Sequence, residues 1–221
     1  MIVDVHTHLP KYRRRSKDEA LNEQRERELR ESILKVQGPC WGRLVKPFRG
    51  SSWEDHYEAM KVVDKAIVFG IAKVGDKVNV NDEVAEYVRM HPEKIIGFMS
   101  VDPNDPECVE EIRRCYSELK LKGIKLGPIY QNFHPQSYKA ARVYREAERL
   151  GLPIMFHQAT TAYYPNLLED AQPLLLEKVA HSYPDLKIIY AHMGHPWWRD
   201  VVLIIRRNPN MYADISALFY H

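Results

Sequence analysis

The chain has 221 residues, enough for one domain around a single large core. Hydrophobic residues make up 45% and charged residues 28%, and the net charge of +2 offers no electrostatic case for nucleic acid or an anionic membrane surface. Three cysteines, Cys40, Cys108 and Cys115, fall at no metal or redox spacing, and no apolar run is long enough to span a membrane.

Residues 2–8 read as a strand ending in His-Thr-His. Side chains two apart on a strand project to the same side, so His6 and His8 would leave its C-terminal end in parallel, an arrangement suited to gripping one metal ion. Residues 9–52 form a long first connection: a basic KYRRRSK run, a highly charged helix from Lys17 to Val36, then GPCWGRLVKPFRGSS. The arginine triplet is a solvated charge cluster, and a connection of this length suits a lid or substrate wall. From there one rhythm holds. Short apolar runs recur at 66–71, 95–101, 123–128, 153–158, 187–193 and 211–216. Amphipathic stretches separate them. Residues 106–123 place Cys108 or Val109, Ile112, Tyr116 and Leu119 on one stripe, and 137–151 and 171–184 end at Gly or Pro as helices tend to. Apolar strands alternating with amphipathic helices predict βα units around a parallel sheet. The expected fold is α/β, a TIM (β/α)8-type barrel, with seven strands legible and the chain truncated after the seventh. A single domain is expected over 1–221, with 9–52 as its insertion.

The histidines follow the strands. His6 and His8 end the first, His157 the fifth and His192 the sixth, while Asp214 lies in the seventh. In a barrel these C-terminal ends converge on one mouth, where active sites are built. Imidazole and carboxylate are the ligands expected for zinc or a related divalent ion. Asp214, in Asp-x-Ser, could equally orient a loop or hold a neighbour by a hydrogen bond. Lys125 ends the fourth strand, as a carbamylated bridging ligand, a substrate-binding cation or an ordinary strand-end lysine; a polar residue pointing inward there favours a role in the site. Tyr130, Trp197, Trp198 and Arg199 are pocket candidates, with His134 and His195 as loop candidates.

VDVHTH, GIKLGPIYQNFHP, GLPIMFHQ and KIIYAHMGHPW, in this order, resemble the amidohydrolase-related family of metal-dependent TIM-barrel enzymes. Within it they are most similar to the branch that holds aminocarboxymuconate-semialdehyde decarboxylase and related aromatic-acid decarboxylases and hydrolases. The resemblance implies His6, His8 and His157 as ligands of a divalent metal, Zn2+ first and Mn2+ second. It implies His192 as the catalytic group that handles a proton; from their places at the mouth, Asp214 is expected to assist it and Lys125 to bind substrate. The family's usual aspartate ligand after an eighth strand, in a Gly-Ser-Asp-Tyr-Pro-like motif, has no counterpart before the chain stops at LFYH.

The expected function is therefore hydrolysis of a C–N or C–O bond, or decarboxylation of a small aromatic or unsaturated acid, with a histidine acid/base. The expected partner is a small-molecule substrate, not nucleic acid or membrane, in a cytoplasmic protein, with a homo-oligomer left open. Two other readings stand beside it. One is a non-catalytic barrel fragment serving binding or assembly. The other is a TatD-like metal-dependent nuclease, which also opens with His-x-His but carries a glutamate ligand that IIGFMSVDP and GIKLGP lack.

Overall fold

The computed structural model describes residues 1–10, 23, 24, 27, 31, 52–76, 78–161 and 167–218. The expected Lys17–Val36 helix and nearly all of the 9–52 connection lie outside the described residues. The remaining elements follow the expected alternation. Strands β1 (Val3–His8), β2 (Lys65–Phe69), β3 (Ile95–Gly97), β4 (Met99–Ser100), β5 (Ile124–Leu126), β6 (Ile154–Phe156), β7 (Ile188–Tyr190) and β8 (Met211–Ala213) are interleaved with helices. The helices are α1 (Trp53–Ala59), α2 (Val80–Met90), α3 (Cys108–Ser117), α4 (Pro128–Gln131), α5 (Tyr138–Leu150), α6 (Leu174–Ser182) and α7 (Trp198–Arg207).

Every strand pairing is parallel, in the orders β1-β2-β3 and β4-β5-β6-β7-β8. β3 and β4 are one expected strand divided at Phe98. There the chain passes its hydrogen bonds from one neighbour to the next: Phe98 N donates to Val68 O, and Met99 N to Gly123 O. The seven expected strands are thus present in order, as a partial α/β barrel. Among the described residues no ladder joins β8 to β1, so both are edge strands.

Alternation along the strands sorts two cores. Ala66 and Val68 face outward and pack with Trp53, Tyr87 and Ile95 beneath α1 and α2. Phe69 turns inward with Phe98 and Met155, against Ile67, Ile96 and Ile189. β1 departs from simple alternation. Asp4 pairs with Ala66 and Thr7 with Val68, so β1 carries one extra residue between them. Such a bulge re-aims side chains. Here it sets Asp4 and Thr7 in register with outward residues and returns His8 to register with inward Phe69.

The helices form where caps and stripes agree. In α5, Ser137 accepts from Ala140 N at the start, and Gly151 closes the end at φ 67, donating to Ala147 O and Glu148 O. In α3 the buried stripe is Cys108, Ile112 and Cys115, while Tyr116, expected inside, is 42% exposed. Cys115 behaves as a small hydrophobe and takes the inner position at the third turn, leaving the larger ring outside. Among the described residues no helix is long and apolar enough to cross a membrane.

Two expectations for stability follow. A Cβ at Gly97 would stand 2.5 Å from Leu121, 2.8 Å from Val88 and 2.9 Å from Val84. Gly97→Ala should cost about 1–3 kcal/mol by overpacking, read by urea denaturation. Glu146, buried on α5, accepts from Arg149 at 2.6 Å and Arg113 at 2.9 Å. The hydrogen bond from Arg149, opposed by burial, holds its carboxyl at about 2, below its ordinary 4.5. A depressed carboxylate stabilises the fold above its unfolded pKa and stops doing so as pH falls through the folded value. Glu146→Gln should therefore lower the melting temperature at neutral pH, and the gap from wild type should close between pH 4.5 and 2.

Candidate active site

Four imidazoles meet at the C-terminal ends of the strands. Ring centroids are 5.5 Å apart for His8 and His6, 4.7 Å for His6 and His192, and 5.0 Å for His192 and His157. Each comes from the strand end or following turn that the sequence indicates. Phe69 lies beneath them, edge-on to His6 at 5.0 Å and to His8 at 4.8 Å. Phe69 was not among the sequence candidates; its place at the end of an inward-facing strand was the available signal.

Asp214 organises the cluster. It is 5% exposed, and its Oδ2 lies 2.7 Å from His6 Nδ1. Its Oδ1 accepts from His192 N at 3.0 Å, from Ser216 N at 3.0 Å and from the Ser216 hydroxyl. Burial raises a carboxyl's pKa, but the hydrogen bonds from His6, Ser216 and His192 outweigh it and hold Asp214 below the usual carboxylate range. The same residue braces the turn after β7. His192 and Met193 sit in left-handed backbone, at φ 57 and 48, a conformation costing roughly 1–2 kcal/mol per residue. His192 N is bonded to the Asp214 carboxylate and Met193 N, at 2.8 Å, to its carbonyl.

The partners decide which ring nitrogens carry protons. A carboxylate only accepts, so His6 donates from Nδ1 and its Nε2 is bare. That Nε2 is buried and has no hydrogen-bond partner among the described residues. A carbonyl only accepts, so His192 donates from Nδ1 to Ser216 O at 3.0 Å, and its Nε2 is bare as well. The Tyr130 hydroxyl lies 3.2 Å from His157 Nε2 and 3.1 Å from Thr161 Oγ1, joining the ring to the following loop. Burial is the largest cause of depressed pKa at all three rings, opposed at His6 by the Asp214 hydrogen bond, and it pushes His192 down to about 4. All three are neutral at pH 7, the state a metal requires of its imidazole ligands. Ligand atoms of His6, His192 and Asp214 lie within 4.8 Å of one another. In that trio the His6–Asp214 approach is itself a hydrogen bond. A buried, unpartnered nitrogen in a ring of neutral imidazoles fits a soft-to-borderline divalent cation.

Lys125 points inward, as expected. Its neighbours Ile124 and Leu126 belong to the outer core, while Lys125 is in register with inward Met155. Its Nζ is buried, 4.6 Å above the Phe69 ring, with no hydrogen-bond partner among the described residues. Burial pushes its pKa down to about 7, with nearby Asp214 opposing. The other pocket candidates divide. Tyr130 touches His157. Trp198 is 43% exposed at the start of α7, with Arg199 stacked on it at 4.4 Å. His134 is exposed and its Nδ1 accepts from Gln136 N. Ser216 enters the cluster without having been singled out; the Asp-x-Ser spacing was the only hint.

The fold is that of the TIM-barrel amidohydrolases. The chain belongs to the amidohydrolase family, whose model matches residues 3–221. It is 26% identical over 180 residues to the 2-amino-3-carboxymuconate-6-semialdehyde decarboxylase of Dictyostelium discoideum, covering 72% of this chain and 50% of that protein. Among solved structures it is similar to an uncharacterised TIM-barrel protein from Bordetella bronchiseptica, with TM-score 0.71 and 18% identity over 100% of this chain and 76% of that one. It is also similar to a manganese-bound 5-carboxyvanillate decarboxylase from Novosphingobium aromaticivorans, with TM-score 0.62 and 20% identity over 90% of this chain and 68% of that one. The chain spans about half the length of the curated relatives it matches.

Asp214→Asn would turn an amide N–H toward groups that themselves donate. The loss should be about 1–3 kcal/mol in urea denaturation of the metal-free chain, with the fold otherwise retained by circular dichroism.

Proposed function

We propose that this chain carries the site of a metal-dependent enzyme that decarboxylates a small aromatic or unsaturated carboxylic acid. The observation that carries the reading is the pairing of two unsatisfied buried groups, His6 Nε2 and Lys125 Nζ. The first calls for a cation and the second for an anion. A divalent ion and a carboxylate substrate would answer both. The decarboxylases among the relatives support the same substrate class.

His6, His8 and His157 would hold the ion, with zinc or manganese as its identity. When bound, it would supply charge neutralisation for the substrate's oxygens. Lys125 would bind a carboxylate through its ammonium, with the Phe69 ring beneath it. His192, bare at Nε2, would take a proton from substrate or water. It would return that proton to the carbon whose bond to the departing CO2 has broken, the electron pair remaining on carbon. Asp214 keeps the Nδ1 protons of His6 and the backbone of His192 in place. Hydrolysis of a C–N or C–O bond uses the same residues and is the second reading, supported by a dihydroorotase among the relatives, 28% identical over 126 residues.

Elemental analysis and turnover of acids such as 2,6-dihydroxybenzoate test the assignment. His192→Ala should lower turnover by about 10²- to 10⁴-fold with metal content near wild type. His157→Ala should lose metal and turnover together. The reverse pattern would exchange the two roles, and a wild-type chain without divalent metal would end the metal reading.

A further inference from the structure

Ser216 sits at a junction that the proposed mechanism leaves unused. Its Oγ lies 2.8 Å from His192 Nδ1 and 3.1 Å from His6 Nδ1, and it donates to Asp214 Oδ1. A hydroxyl has one proton. The carboxylate takes it, because Asp214 only accepts. Toward both imidazoles the oxygen can therefore only accept. The proton count closes on this arrangement: each ring keeps its proton on Nδ1, and each Nε2 stays bare.

We infer that Ser216 is a positioning residue that ties the proton-handling histidine to a metal-side histidine by sharing one acceptor between them. The inference rests on the roles proposed for His6 and His192, but its geometry does not depend on the reaction. His6 has a second, stronger anchor in Asp214 Oδ2 at 2.7 Å. Among the described residues His192 Nδ1 has only the Ser216 carbonyl, at 3.0 Å, beside the hydroxyl. The hydroxyl is thus the nearer of two acceptors for His192 and the farther of two for His6. Its removal should leave His192 on the carbonyl alone and His6 on its stronger anchor. The hydroxyl also extends a path from His192 Nδ1 through Oγ to the Asp214 carboxylate. Positive charge gained when His192 Nε2 takes a proton is stabilised along that path.

Long-range 15N–1H spectra of the metal-free chain at pH 8 read ring tautomers directly. Wild type should show His6 and His192 each as the Nδ1–H form. In Ser216→Ala both rings should stay Nδ1–H, because Asp214 and the residue 216 carbonyl still accept, but the His192 Nδ1–H, left with only the longer of its two acceptors, should exchange with solvent faster than in wild type while that of His6 is unchanged; Ser216→Thr, which keeps the hydroxyl, should restore the wild-type rate. Under turnover, Ser216→Ala should lose about 10- to 100-fold with metal content unchanged, and Ser216→Thr should recover most of it. A His192 Nδ1–H that exchanges in Ser216→Ala at the wild-type rate, or a His192 that is Nε2–H in wild type, overturns the inference. An inactive or metal-free wild type with the expected tautomers and exchange rates overturns the function proposed above and upholds the positioning role. Thermal melts of both variants, matched to wild type, ensure that the spectra report folded protein.

Discussion

The hydrogen bond between His6 and Asp214 is the contact on which the mouth of this barrel depends. The strands that carry them, β1 and β8, share no ladder among the described residues, yet the side chains meet at 2.7 Å. A carboxylate that is 5% exposed is costly to desolvate, and removing one partner from such a pair is more costly than forming it. Asp214 offsets that cost by accepting four hydrogen bonds, three of them from residues 192 and 216. One buried anion thus joins β1, the turn after β7 and the end of β8. Without it, the left-handed backbone at His192 would lose the carboxylate that accepts from its N–H, leaving only the bond from Met193 N to the residue 214 carbonyl to hold the turn.

Around that anion the cluster is electrically incomplete. The imidazoles lose their protons to burial, Asp214 is the only carboxylate hydrogen-bonded to them among the described residues, and Lys125 stands unpaired over Phe69. His6 Nε2 and Lys125 Nζ are thus two buried groups of opposite character, a lone pair and an amine, without hydrogen-bond partners among the described residues. The low local dielectric that makes each unpaired group expensive also makes each partner, when supplied, bind strongly.

The apolar framework serves this arrangement. Inward residues of β2, β3, β6 and β7 and the Phe98 junction fill the barrel below the histidines, and outward residues seat the helices. Phe69 belongs to both layers of the design. It completes the inner core, and its ring carries His6, His8 and the Lys125 ammonium on its surface. The histidines and Lys125 are therefore mounted on a packed floor, where side chains have few alternative rotamers.

The order of strands and helices, the four strand-end histidines and the inward lysine were legible in the sequence. Alternation and amphipathic spacing are local, and a parallel barrel turns strand ends into neighbours without further information. What escaped the sequence depends on register and on contacts between distant segments. The extra residue in β1 sends Asp4 outward, although simple alternation groups it with His6 and His8. Cys115 takes the inner place on the helix stripe and Tyr116 lies outside it, because the angle at which the helix meets the core chooses between adjacent positions. Asp214 read as an orienter of its neighbours, with direct ligation the lesser reading, and the structure shows its oxygens occupied by hydrogen bonds. Ser216 had no signature beyond its spacing from Asp214. The sequence by itself determined the fold class and which imidazoles converge; only the tertiary structure decided which nitrogen of each ring is bare, because that depends on whether the atom opposite, 208 residues away for His6, can give a proton or only accept one.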